Sequence, residues 1–260
     1  VLRFKNLGSG SSGNATVVEA TQDGRPTRLL VDCGLGPRAL AMRLGQAGLA
    51  VADLDAIFVT HEHSDHIGSA CKIALRHRIP LWMSHGTFEA IGAPALDGLL
   101  RVASDGIAIT LDGLQVRPFT VPHDAREPLQ LRLSDGAACA GILTDLGHAT
   151  THVLDQLAGC TAMLLECNHD PDLLADSPYP LFLKRRVGGS HGHLANTRAA
   201  GIASALARHG LRHIVAAHLS QQNNRPELAL AALAGADGCA GVELGVADPV
   251  IGTPWINVGP

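Results

Sequence analysis

The chain has 260 residues, of which 46% are hydrophobic and 17% charged, and its formal net charge is −4. That is enough apolar material for one large core and too much for a disordered chain, so residues 1–260 read as a single domain. The acidic balance rules out a global basic field of the kind that gathers polyanions and leaves room only for a local patch. No apolar run approaches the length of a membrane span, and the N-terminal stretch lacks an apolar leader segment, so the expected location is the cytoplasm.

Strand and helix signals then alternate along the chain. Residues 28–31 form an apolar run that ends in Asp32-Cys33-Gly34, and a helix is expected from about Pro37, since proline suits a helix start. Residues 54–59 read as a buried strand, 67–76 as a helix and 80–83 as extended. From 102 to 143 the pattern has period two, with Asp112-Gly113 and Asp135-Gly136 as hairpin turns. A helix is expected over 150–157, a strand over 161–165, a helix over 197–208, a strand over 213–217 and a helix over 226–233. The six cysteines, Cys33, Cys71, Cys139, Cys160, Cys167 and Cys239, show no C-x-x-C spacing and read as reduced core thiols.

The chemistry concentrates in Thr60-His61-Glu62-His63-Ser64-Asp65-His66, which follows the strand over 54–59. Imidazole with carboxylate suits zinc, manganese or iron(II), and neither calcium nor a thiolate-bound structural zinc. Four ligand candidates exceed what one catalytic ion needs while keeping a water position open, so the spacing favours two metals. His123, Asp145 and His218 each stand at the end of an apolar strand, where open sheets place ligand sites. They complete a set of seven donors.

Taken in order, these residues resemble the metallo-β-lactamase fold superfamily, and the resemblance spans nearly the whole chain. It implies an αββα sandwich, with the site at one edge between the sheets. His61, His63 and His123 would hold one divalent ion, Asp65, His66 and His218 the other, and Asp145 would bridge them. Asp32 matches an aspartate that orients the histidine-rich loop without binding metal. The stretches Gly8–Asn14, Val121–Ala125, Leu165–Asp170, Gly192–Asn196 and Ala217–Asn224 further resemble the YycJ (WalJ) group of 5′-to-3′ DNA exonucleases, relatives of tRNase Z and ribonuclease J. The segment between Asp145 and His218 is too short for the β-CASP insertion of ribonuclease J.

Two cations about 4 Å apart can polarise a phosphoryl group and bring a water pKa near neutral. A sugar alkoxide also needs a proton donor. Glu166, after a strand, and His193, in a glycine-rich stretch, are the candidates, and tRNase Z relatives pair such residues. Asp65 is expected to act in catalysis as well as ligation. Gly8–Asn14 reads either as a phosphate cradle, with Ser11, Ser12 and Asn14 on substrate, or as a hairpin connection. Asn168, in a YycJ-like stretch, joins the substrate-binding candidates. Lys184-Arg185-Arg186, the one dense basic cluster, is a solvated helix face or a polyanion guide. The leading expectation is a dinuclear phosphodiesterase acting on nucleic acid, DNA above all, through backbone contacts. A small ester, thioester or cyclic phosphodiester hydrolase is the alternative, followed by a metal-binding scaffold without turnover.

Overall fold

The computed structural model describes residues 1–259, and among them the strands form two seven-stranded sheets. In the first, β1 (Leu2–Gly8), β2 (Ala15–Gln22) and β3 (Arg25–Val31) run antiparallel. Then β4 (Ala56–Phe58), β5 (Leu81–Ser84) and β6 (Leu100–Ala103) extend it in parallel. The second sheet repeats the plan. Its antiparallel part is β7 (Ile109–Leu111), β8 (Leu114–Thr120), β9 (Leu129–Ser134) and β10 (Cys139–Leu143). Its parallel part is β11 (Ala162–Glu166), β12 (His213–Ala217) and β13 (Glu243–Val246), while β14 (Ile256–Val258) returns to pair with β1 in the first sheet.

Side-chain alternation explains why the sheets stack. Leu29 of β3 points into the central core, and its neighbour Leu30 points to the outer one, as a period of two requires. The central core joins Phe4, Val18 and Phe58 of the first sheet to Leu131, Leu164 and Val215 of the second. On the outer face of the first sheet lie α1 (Pro37–Gln46) and α3 (Ala70–His77), with Leu40, Leu44 and Ile73 inward. On that of the second lie α5 (Thr151–Leu157), α8 (Asn196–Ala207) and α9 (Pro226–Ala234). This is the four-layer αββα sandwich. Strands covered on both faces read as unbroken apolar runs, whereas β8 keeps Gln115 and Arg117 exposed.

Two expectations shift in detail. The strand over 54–59 contracts to β4, because Leu54 ends a short 3₁₀ turn and Thr60 bonds to Asp32. The helix over 67–76 is split into α2 (Ser64–Ile67) and α3 at Gly68, whose φ is 32°. A Cβ at Gly68 would press on the Cys33 carbonyl, so only glycine fits. Gly8–Asn14 joins β1 to β2, the hairpin connection.

One edge of the sandwich gathers the polar strand ends. Asp32 follows β3, His61 follows β4, His123 lies beyond β8, Asp145 follows β10, Glu166 ends β11 and His218 follows β12. The loops bearing Asn14, Gly34 and Asp65 interlock. The Asn14 amide donates to the Asp65 carbonyl at 2.7 Å, the Gly34 amide to the Asn14 carbonyl at 2.9 Å and the Cys33 amide to the His66 carbonyl at 2.8 Å. A Cβ at Gly34 would collide with the Asp65 carbonyl. Gly34→Ala is therefore expected to cost at least the ~1–3 kcal/mol of an overpacked site and to weaken metal retention. Thermal unfolding with and without chelator checks both, and unchanged values would mean that the interlock does not position Asp65.

Candidate metal centre

His61, His66, His123 and His218 are each anchored through Nδ1, which turns Nε2 inward. His61 Nδ1 lies 3.0 Å from the Thr60 hydroxyl, which itself donates to the Asp32 carboxylate at 3.0 Å. His66 Nδ1 donates to Asp32 Oδ2 at 2.8 Å. His123 Nδ1 donates to the Gly192 carbonyl at 3.1 Å, and His218 Nδ1 lies 3.2 Å from Glu166 Oε1. Such partners fix the tautomer and leave the Nε2 lone pair for a cation. His63 instead turns Nδ1 inward, 3.2 Å from His123 Nε2.

The inward atoms fall into overlapping groups, each within 4.8 Å of one another: His61, His63 and His123; Asp65, His66 and His218; and, shared between them, His61, His66 and Asp145. His61 Nε2 and Asp145 Oδ2 are buried without a hydrogen-bond partner. Asp145 Oδ2 nevertheless lies 2.7 Å from His66 Nε2, an atom that carries a proton as long as no cation takes its place. Orphaned buried polar atoms are costly, and two divalent cations would satisfy them. The donors present thus fit a dinuclear centre of imidazole and carboxylate.

The electrostatics agree. Burial holds His61 well below its ordinary pKa, with His66 adding to the effect, so it is neutral and ready to ligate. Burial also opposes a charge on His66, but Asp145 and Asp32 outweigh it and hold its pKa well above normal. A cation entering there would displace that proton. Despite complete burial, Asp145 is held well below the carboxylate range by His218 and His66. Asp32, Asp145 and His218 have φ of 61°, 55° and 54°, a left-handed backbone that non-glycine residues rarely adopt and that concentrates at functional sites.

Beside this cluster, Glu166 is fully buried and accepts from His193 Nδ1 at 2.8 Å and from the amides of Leu146 and Leu194 at 3.0 and 3.2 Å. Burial disfavours a charged His193, yet Glu166 and Asp145 overcome it and push its pKa up to about 11. The imidazolium is a quarter exposed, on the wall of a cleft of about 290 Å³ that also exposes His63, Asp65, Asp124 and Arg186. Arg186 is the one lysine or arginine lining this cleft, and its Nε donates to Asp124 Oδ2 at 2.7 Å.

A family model for the metallo-beta-lactamase superfamily matches residues 8–160. The chain belongs to the metallo-β-lactamase superfamily. An exodeoxyribonuclease YycJ from Bacillus anthracis is 34% identical over 88% of this chain and 86% of its own. An exodeoxyribonuclease WalJ from Streptococcus pneumoniae is 31% identical over 98% of each. The crystal structure of the metallo-beta-lactamase fold protein YhfI from Bacillus subtilis superposes with a TM-score of 0.75 over 99% of this chain and 100% of that one, at 17% identity. Family and donor set together make this superfamily member a metal-dependent hydrolase.

Of the residues singled out from the sequence, the structure brings together His61, His63, Asp65, His66, His123, Asp145, His218, Glu166 and His193, with Asp32 behind them. Ser11 is exposed on the cleft wall and Ser12 is exposed beside it. Asn14 and Asn168 are not on the wall. Asn14 is buried, with its amide on Asp65 Oδ2 and near His66 Nε2, and Asn168 donates to the His218 carbonyl at 3.0 Å. Both brace the loops that carry the donors. Sequence reasoning passed over Thr60 and Ser9, whose hydroxyls hold Asp32 and the His218 amide; for Thr60 a hydroxyl next to a ligand histidine was the available signal, and for Ser9 there was none.

The Thr60 hydroxyl links Asp32 to His61, so Thr60→Val should leave the fold intact and weaken metal affinity by roughly 10–100-fold. Chelator competition measures this, and unchanged affinity would show that the hydroxyl does not set the His61 tautomer.

Proposed function

We propose that this chain is a dinuclear exodeoxyribonuclease that removes nucleotides from a DNA end in the 5′-to-3′ direction. The observation that carries the reading is the buried Glu166–His193 pair placed against the seven-donor cluster and open to the cleft. A proton donor of this kind is needed for an alkoxide leaving group and superfluous for a thiolate. The YycJ and WalJ relatives, exodeoxyribonucleases by name, align over most or nearly all of the chain, which supports DNA as the substrate.

His61, His63 and His123 would hold one ion, Asp65, His66 and His218 the second, and Asp145 both. When bound, the two ions supply Lewis acidity and an activated water. Imidazole and carboxylate donors admit zinc, manganese or iron(II), with availability deciding. The protein's own groups do the rest. Arg186, anchored on Asp124, offers its terminal nitrogens to a phosphate oxygen. Asp65, one-fifth exposed at the cleft, orients the attacking water. Glu166 keeps His193 protonated, and His193 hands that proton to the departing sugar oxygen. With Arg186 the one lysine or arginine in the cleft, the wall suits one phosphate at a time, in keeping with the acidic net charge. No helix among the described residues is long and apolar enough to cross a membrane, and six free cysteines suit the reducing cytoplasm.

Digestion of end-labelled DNA with zinc or manganese should release nucleotides from the 5′ end, stop with chelator and resume on adding metal back. His193→Ala should keep its metal and lose roughly 10²–10⁴-fold in turnover of DNA, with a much smaller loss on bis-p-nitrophenyl phosphate, whose phenolate leaves unaided. Equal losses on both substrates would remove the general-acid role. Digestion of RNA with DNA untouched would contradict the substrate assignment.

A further inference from the structure

A second cavity, also about 290 Å³, abuts the metal cleft and shares Ser11 with it. Its walls include Ser12, Tyr179, Leu219, Gln221 and Gln222, and no lysine, arginine, aspartate or glutamate. A phosphate would find no charge there. An uncharged ring with donors and acceptors on its edge would find Tyr179, the only tyrosine of the chain, together with hydroxyl and amide groups. Among the described residues, the Ser11, Ser12, Gln221 and Gln222 side chains are exposed and have no hydrogen-bond partner within the chain, so they are available to a ligand.

The cavity is tied to the metal centre on two sides. Leu219–Gln222 continue directly from the donor His218, whose amide is held by Ser9 at 2.7 Å. On the other side, Tyr179 stands two residues before α7 (Leu181–Val187), and α7 sends Leu183, Arg186 and Val187 into the metal cleft. One segment thus delivers an aromatic ring to the neutral cavity and a guanidinium to the charged one. Adjacent sites for an aromatic ring and for a phosphate match the two parts of a nucleotide.

We propose that this cavity is a base subsite: the nucleobase next to the scissile phosphate stacks on Tyr179, with its edge toward Gln221, Gln222 and the Ser11–Ser12 hydroxyls. The assignment rests on the nuclease reading above and adds to it a strand-tracking contact that every base can make, since each presents a π-face. Stacking on one aromatic ring is worth about 1–3 kcal/mol per base, which corresponds to roughly 5- to 150-fold in affinity.

The test compares Tyr179→Ala and Tyr179→Phe with the unmodified enzyme in its metal-loaded form. The substrates are an intact oligodeoxynucleotide and two versions with an abasic residue on one or the other side of the terminal link. On intact DNA, Tyr179→Ala should raise KM about 10-fold, and Tyr179→Phe should stay within about twofold. On one of the abasic substrates the difference between Tyr179→Ala and the unmodified enzyme should shrink to about twofold or less. A loss that persists undiminished on both abasic substrates would show that Tyr179 supports the loop and binds no base. No loss on intact DNA would likewise overturn the subsite. An unmodified enzyme that hydrolyses bis-p-nitrophenyl phosphate and no oligodeoxynucleotide would overturn the nuclease reading itself, and the subsite with it.

Discussion

Asp145 is a carboxylate with 1% of its surface exposed, and a charge buried so deeply must be balanced from within the protein. The cost of an unpaired ion at such depth is several kcal/mol, so the surroundings have to supply positive charge. They do so with imidazoles at close range: His66 at 2.7 Å, and His193 and His218 at 3.1 Å. Those rings are in turn held by Asp32 and Glu166, both buried. The edge of the sandwich is therefore an alternating lattice of acid and imidazole, in which each group is placed by the one behind it. Two cations would complete the lattice, one of them at His61 Nε2, which is buried without a partner.

The fold serves that lattice by bringing six strand ends to one edge. Both sheets end in parallel strands running the same way, so donors that are distant in sequence meet without long connecting loops. Strain is tolerated there: the left-handed backbone at Asp32, Asp145 and His218 costs of order 1–3 kcal/mol at each. The apolar layers on both sides of each sheet hold those conformations in place.

Much of this was legible in the sequence because the donors sit in short motifs at the ends of apolar runs. The 60–66 loop, Asp145 and His218 announced themselves by composition and position, and the Gly-containing turns at 112–113 and 135–136 marked the hairpins between β7 and β8 and between β9 and β10. What escaped depends on long-range contact. The break at Gly68 is imposed by the Cys33–Gly34 backbone packing on it, which no local pattern records. The helix α7 buries no residue fully, so its sequence Leu181-Phe182-Leu183-Lys184-Arg185-Arg186-Val187 carries no amphipathic period. The edge strand β13 is only partly covered and lacks the apolar run of its neighbours. The hydrogen bonds by which Asn14 and Asn168 brace the donor loops are likewise long-range, and their motifs carry no sign of them.

Anomalous X-ray scattering from crystals of the metal-loaded protein tests most directly whether Asp145 shares a pair of cations. Data collected at the absorption edge of the bound metal should show two peaks about 4 Å apart, one among His61, His63 and His123 and one among Asp65, His66 and His218, with an Asp145 carboxylate oxygen reaching both. A single peak in fully loaded protein, or two peaks with Asp145 turned away, would contradict that sharing.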